Sequence, residues 1–163
     1  FVLSACAPVP ARVLAWMRKA MHESGVMHTP YGATEALPVA TIESRTVLEE
    51  TAARTSQGQG TCVGPRFAGI QWRVIQIDDG PIASIDQVKE VEPGEIGELI
   101  VQGPVVSPEY VTRRDQNPIS KIADPSGIWH RMGDVGYLDD QERFWYCGRK
   151  SHRVQTTRGT LFT

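Results

Sequence analysis

The chain has no surplus of either charge, few cysteines and no long apolar run, and each shortage removes a class of function. Lys+Arg total 17 against 19 Asp+Glu, a formal net charge of −2. That balance offers no basic surface for nucleic acid or for an anionic membrane. No apolar stretch reaches the roughly 18 residues that a membrane span requires. Cysteine occurs three times, at Cys6, Cys62 and Cys147, with no C-x-x-C pair. An odd, scattered set argues against a disulfide framework and against zinc, and fits reduced thiols in the cytoplasm. His22, His28, His130 and His152 lack metal-ligand spacing. There is no G-x-S-x-G nucleophile elbow. The glycine-rich stretch Gly58 to Gly64 lacks the Gly-Lys-Ser/Thr ending of a phosphate-cradling loop and reads as a structural loop.

What is present is ordinary globular composition, 40% hydrophobic and 22% charged over 163 residues, enough for one domain or two small subdomains. Phe1 follows no Met and no basic flank of a signal peptide, and Thr163 closes on no terminating signal. The chain is therefore expected to be a portion of a longer polypeptide.

Two patterns divide the sequence. Phe1 to Leu3 reads as a short buried strand. Pro10 opens a helix and Gly25 closes it, with Val13, Leu14, Met17, Ala20 and Met21 on one face. Val26 to His28 and Leu37 to Ile42 read as strands, and Thr46 to Arg54 as a helix. After the loop Ser56 to Gly60 the pattern becomes strand and turn. Ile70, Trp72 and Val74 alternate with Gln71 and Arg73, the period of a half-buried strand. Asp78-Asp79-Gly80-Pro81 is a turn, Glu98 to Gln102 a strand, and Tyr137 to Cys147 a hairpin around Asp139-Asp140-Gln141. The expected fold is α/β over residues 1–55, then a β-rich part, a distorted barrel, over 56–147, with 148–163 leading out of it.

Two polar clusters carry chemistry. In Tyr31-Gly32-Ala33-Thr34-Glu35 an aromatic face suits a purine, and a glycine admits close backbone approach. The Thr34 hydroxyl suits a phosphate oxygen, and the Glu35 carboxylate suits Mg²⁺, which takes one or two carboxylates beside water and phosphate. In Gly133-Asp134 and Gly148-Arg149 a carboxylate suits ribose hydroxyls and a guanidinium suits ribose or phosphate oxygens. The proposed hairpin between them would bring both to one pocket. Taken singly, each cluster also reads as an ordinary surface turn. Trp129, Trp145 and Tyr146 read as core.

The order of these segments resembles the adenylate-forming superfamily of acyl-CoA synthetases, luciferases and peptide-synthetase adenylation domains. Ser4-Ala5-Cys6-Ala7-Pro8 is similar to its small-residue adenine loop, and Tyr31 to Glu35 to its Y-G-x-T-E motif. Cys62 to Pro65, Gly94 to Leu99, Trp129 to Tyr137 and Gly148-Arg149-Lys150 follow in the family's order. The resemblance implies the central-to-C-terminal part of the large N-terminal domain of such an enzyme, with ATP or AMP and Mg²⁺ as its ligands. It implies that Ala5, Cys6 and Ala7 line the adenine, Tyr31 stacks on it with Gly32 alongside, Thr34 touches the α-phosphate, Glu35 holds Mg²⁺, and Asp134 and Arg149 bind the ribose. Thr34 and Glu35 carry the catalytic roles. Ser151 is the implied hinge to a C-terminal domain beyond Thr163, and a pyrophosphate loop is expected before Phe1.

Departures stand at Pro30, Met132, Ser151-His152, Gln155 and Gly159. The last segment helps form a thiol channel in relatives, so its change points away from a coenzyme A step. Pro30 to Val39 and Trp129 to Asp134 look most like the β-lactone synthetases of bacterial long-chain olefin biosynthesis. The implied substrate is a fatty acid, a 2-alkyl-3-hydroxy acid, and the implied partner is the rest of the same polypeptide. An acyl-CoA ligase of the same superfamily and a non-catalytic binding module remain as alternatives.

Overall fold

A computed structural model describes residues 1–5 and 8–162. Strands β1 (Val2–Leu3), β2 (Met27–Ala33) and β3 (Ala36–Glu43) form a small sheet in the order β1-β2-β3. β1 runs parallel to β2, and β2 and β3 make a tight hairpin. Thr34 and Glu35 are its turn residues.

Gly32 is a glycine because of the hairpin itself. A Cβ placed there would stand 2.5 Å from the Ala36 carbonyl oxygen and 2.7 Å from Leu37 Cδ1. The close approach is therefore between the two arms, where a ligand was the expected cause.

Helix α1 (Ala11–Ala20) follows Pro10, as the fixed φ of proline favours. It ends five residues before Gly25, contrary to the expected stop, because Met21 turns extended. The Arg18 guanidinium donates to the Gly25 carbonyl and fastens the returning chain to the helix end. The expected apolar face is only partly covered. Leu14 is buried, whereas Val13 and Ala20 are exposed. β1 also departs from the buried strand expected of it, since Phe1 and Leu3 are exposed. A second helical segment joins Ser44–Thr46, a π-helical turn Val47–Thr51 and Ala52–Ser56.

The remaining strands are β4 (Thr61–Cys62), β5 (Gln71–Ile75), β6 (Gly97–Gln102), β7 (Lys121–Asp124), β8 (Gly127–Leu138) and β9 (Phe144–Arg149). They form a curled half-barrel sheet in the order β4-β9-β8-β6-β5, with β7 paired to the first part of β8. The twelve residues of β8 are the spine, since they pair with β7, β6 and β9 in turn. A final exposed hairpin, β10 (Val154–Thr156) with β11 (Gly159–Leu161), follows a 3₁₀ turn at Lys150–His152.

β6 is buried at every position, so it does not alternate polar and apolar. Leu99 and Val101 face a core shared with Ala36, Val39 and Ala40 of β3, and with Trp72, Met132 and Phe144. Ile100 faces the opposite layer, with Ile75, Ile122 and Trp129. The first of these cores seats the β2–β3 hairpin on the half-barrel. Each fully buried Leu, Val or Phe there contributes about 1.5–3 kcal/mol. No helix among the described residues is long and apolar enough to cross a membrane.

Candidate active site

The seam between the hairpin and the half-barrel opens into a cavity of about 830 Å³. Its polar end is lined by Tyr31, Gly32, Thr34, Glu35, Asp134 and Arg149, and Ala5 reaches the rim. The two clusters that sequence places far apart therefore share one concavity. Cys6 and Ala7 lie outside the described residues. Ser151 stands apart from this cavity, exposed on a shallow depression with Asp79, Lys150, Arg153 and Gln155.

Strand pairing brings Asp134 and Arg149 together. Asp134 on β8 is the direct cross-strand partner of Arg149 on β9. Tyr31 donates its hydroxyl to Asp134 Oδ2 at 2.5 Å. The tyrosine ring packs at 5.9 Å from Phe144, which anchors it in the core. The Arg149 guanidinium stands 3.0 Å from Asp134 Oδ1, but its hydrogen bond goes to the Met132 carbonyl at 3.1 Å. Asp134 Oδ1 is thus a buried acceptor with no hydrogen-bond donor among the described residues. Burial pushes the Asp134 carboxyl above its ordinary value, against the lowering effects of the Tyr31 hydrogen bond and the Arg149 charge. Burial, and then the neighbouring carboxylate, push the Tyr31 phenol well up, so it stays a donor.

The second half of the site surrounds Glu35. Tyr110 donates its hydroxyl to Glu35 Oε1 at 2.7 Å. The Ser107 amide donates to the Glu35 carbonyl at 2.8 Å. Lys121 holds that loop through the Ser107 carbonyl at 2.5 Å and lies 5.4 Å from the Tyr110 ring centre. Partial burial raises the Glu35 carboxyl, but hydrogen bonds from Tyr110 and from its own amide, with the neighbouring His130 and Lys121, bring it below the ordinary value. It is a carboxylate at neutral pH. No group of three or more His, Cys, Asp or Glu capable of holding a metal exists among the described residues. A single carboxylate beside Thr34 suits a hard cation that brings its own oxygen ligands, as Mg²⁺ does with water and phosphate.

Sequence reading missed Tyr110, Ser107, Lys121 and His130; Tyr146 packs against the core, as expected, and also lines the cavity. The tryptophans are core as expected: Trp145 is fully buried and Trp129 nearly so. His130 is buried behind the Glu35 cluster, with Nδ1 against the Ser120 carbonyl at 3.1 Å. Burial, and then the Lys121 charge, lower its imidazole to about 4. The folded protein therefore holds His130 neutral, whereas an unfolded chain protonates it near 6.5. The unfolded state binds more protons between those values, so this contribution to stability is complete above about pH 6.5 and is lost as pH falls toward about 4. Urea unfolding of the parent and of His130→Asn across pH 4–8 checks this. The parent should lose more stability than the variant over that window, and parallel curves would exclude it.

The fold is shared with O-succinylbenzoate coenzyme A synthetase from Bacillus subtilis. The TM-score is 0.74 against the structure in complex with ATP and magnesium ion, over 99% of this chain and 29% of that one, at 21% identity. Against the complex with AMP it is 0.73, at 21% identity. The fold is thus that of part of the N-terminal domain of the adenylate-forming enzymes. Residues 1–111 match the family described as AMP-binding enzyme, and the chain belongs to that family. It is 48% identical, over 99% of its length, to an olefin beta-lactone synthetase of Stenotrophomonas maltophilia. It is 45% identical, over 98% of its length, to an olefin beta-lactone synthetase of Xanthomonas campestris pv. campestris. The chain spans about 30% of the length of each of these two relatives.

Proposed function

We propose that this chain forms the nucleotide-binding part of a longer enzyme that activates a fatty acid with ATP and closes it to a β-lactone. The observation that carries the nucleotide half of this reading is the convergence of Tyr31, Thr34, Glu35, Asp134 and Arg149 on one cavity. Asp134 Oδ1, ion-paired with Arg149 at 3.0 Å, keeps lone pairs that ribose hydroxyls can donate to. The names of the two relatives at 48% and 45% identity support the lactone product.

In this reading Asp134 accepts from the ribose hydroxyls, with Arg149 beside it. Tyr31 lies along the purine, and Ala5 with its neighbours borders the adenine. Thr34 donates to the α-phosphate, and Glu35 would hold Mg²⁺, which would supply charge neutralisation for the phosphates and the leaving pyrophosphate. The substrate carboxylate oxygen attacks the α-phosphorus, the bond to the bridging oxygen breaks, and pyrophosphate leaves. This chain contributes position and charge complementarity to that step. The 3-hydroxyl oxygen then attacks the acyl carbon, AMP departs with the mixed-anhydride electron pair, and the hydroxyl proton is released. Ser151 serves as a hinge in this scheme. It follows Lys150, whose ammonium is tied to Glu98 at 3.0 Å, and precedes an exposed hairpin. Reduced Cys62 and Cys147 accord with a cytoplasmic enzyme.

The test is incubation of the longer polypeptide with ATP, Mg²⁺ and a 2-alkyl-3-hydroxy fatty acid. AMP and pyrophosphate should form in equal amounts with a lactone identified by mass. A thioester formed only on adding coenzyme A would assign an acyl-CoA ligase instead. Absence of AMP under both conditions, together with no AMP binding by calorimetry, would leave only a non-catalytic module. The 163 residues alone are expected to form no AMP.

A further inference from the structure

Glu35 is gripped more completely than a turn residue requires. Hairpin turn side chains are ordinarily free, yet this one is held from a loop 75 residues away in sequence. The Ser107 amide fixes its carbonyl, and the Tyr110 hydroxyl fixes Oε1. No other residue's side chain among those described hydrogen-bonds Oε2, and Glu35 lines the cavity beside Thr34.

The gripping group is itself built in. The Asn117 side chain clamps the Tyr110 backbone from both sides. Its Oδ1 accepts from the Tyr110 amide at 2.7 Å, and its Nδ2 donates to the Tyr110 carbonyl at 3.2 Å. The Lys121 ammonium lies over the ring and also donates to the Ser107 carbonyl and hydroxyl. One cation thus ties together the two residues that hold Glu35. An isolated Ala36–Val106 bridge docks the same loop on the start of β3.

We propose that Tyr110 is a positioning residue for the metal carboxylate: by donating to Glu35 Oε1 it leaves Oε2 aimed at the cation that accompanies ATP. The inference rests on the reading of Glu35 as the Mg²⁺ ligand given above. A carboxylate with one oxygen fixed offers a defined direction to a hard cation, whereas a free one offers an ensemble of rotamers. Outer groups that orient a ligand in this way typically account for about 10–100-fold in metal affinity.

The experiment uses the longer polypeptide and Mn²⁺ as a paramagnetic stand-in, titrated into the enzyme–ATP complex and followed by electron paramagnetic resonance. Tyr110→Phe keeps the ring, its packing and the Lys121 contact, and removes the hydroxyl that donates to Glu35 and meets the Ser120 side chain. It should weaken Mn²⁺ binding about tenfold. It should leave metal-free AMP affinity and melting temperature near those of the parent, a pattern that a general folding defect does not produce. Glu35→Gln is the companion variant. If Glu35→Gln weakens Mn²⁺ binding and Tyr110→Phe does not, the role of Tyr110 is overturned while the metal reading stands. If neither variant changes Mn²⁺ binding, the metal reading of Glu35 fails and the inference falls with it.

Discussion

Asp134→Ala is expected to weaken AMP binding more than 100-fold in the longer polypeptide. Two ribose hydroxyls donating to one carboxylate form charge-assisted bonds of about 1.5–3 kcal/mol each. Losing about 3 kcal/mol corresponds to just over two factors of ten in affinity. The variant also frees the Tyr31 hydroxyl, whose only acceptor among the described residues is Asp134 Oδ2. That loosens the ring proposed to lie along the purine.

The same substitution leaves the Tyr31 hydroxyl without its acceptor, at about 1–3 kcal/mol, so Asp134→Asn is the variant that separates a binding role from a structural one. Burial raises the Asp134 carboxyl, so its charge is held at some expense in the empty protein. Arg149 is 47% exposed, so it is not stranded when its partner goes. Asp134→Asn keeps an acceptor for Tyr31 and removes the charge. Its urea midpoint should equal or exceed that of the parent, while its AMP affinity falls. Calorimetric titration with AMP alongside urea unfolding reads both quantities. An AMP affinity within threefold of the parent for Asp134→Ala would remove the ribose assignment.

Local pattern carried much of the fold. The β5 alternation, the Asp139 turn and the strand pair around β3 follow from period and turn chemistry, and they stand where their residues place them. The Asp139 turn is legible because the side chain itself builds it: Oδ1 accepts from the Gln141 and Arg143 amides, and Oδ2 from Trp145 Nε1. β8 was harder to read. Gly133, at φ +68, and Gly136 interrupt its apolar pattern, so the segment reads as a motif followed by a hairpin arm. In the fold it is one strand, with a register shift at Val135/Gly136 that absorbs the irregularity.

The site divides in the same way. Asp134 and Arg149 meet through a hairpin, which sequence can suggest. Tyr31 and Asp134 are 103 residues apart, and only the ordered family motifs link them. Tyr110 had no such signal. The stretch around it carries no apolar period, and its partner Glu35 lies across a sheet boundary. The α1 stripe misled for a different reason: periodicity says which face is apolar, not whether anything covers it. Trp16 is 67% exposed on that helix.

Glu98 is the other residue whose position sequence reading could not foresee, because alternation assigns a charged strand residue to water. β6 is covered on both faces, and Glu98 is 1% exposed. Its Oε2 accepts from Arg131 at 2.6 Å and from Lys150 at 3.0 Å. Arg131, also buried, donates in addition to the carbonyls of Asp78, Gly80 and Ile119, so it ties two loops to β8. One carboxylate therefore balances two cations. Glu98→Gln would leave the Arg131 charge buried without an anion, a change that typically costs about 3–5 kcal/mol. In a chain of this size that is a fall in melting temperature on the order of 10 °C. Lys150→Met should cost far less. The lysine side chain is 15% exposed, and its loss leaves a one-to-one pair between Glu98 and Arg131. Urea unfolding of the two variants side by side tests the ordering. If Glu98→Gln lies within about 1 kcal/mol of the parent, or if Lys150→Met proves the more damaging, the buried carboxylate is not what holds the two loops to β8.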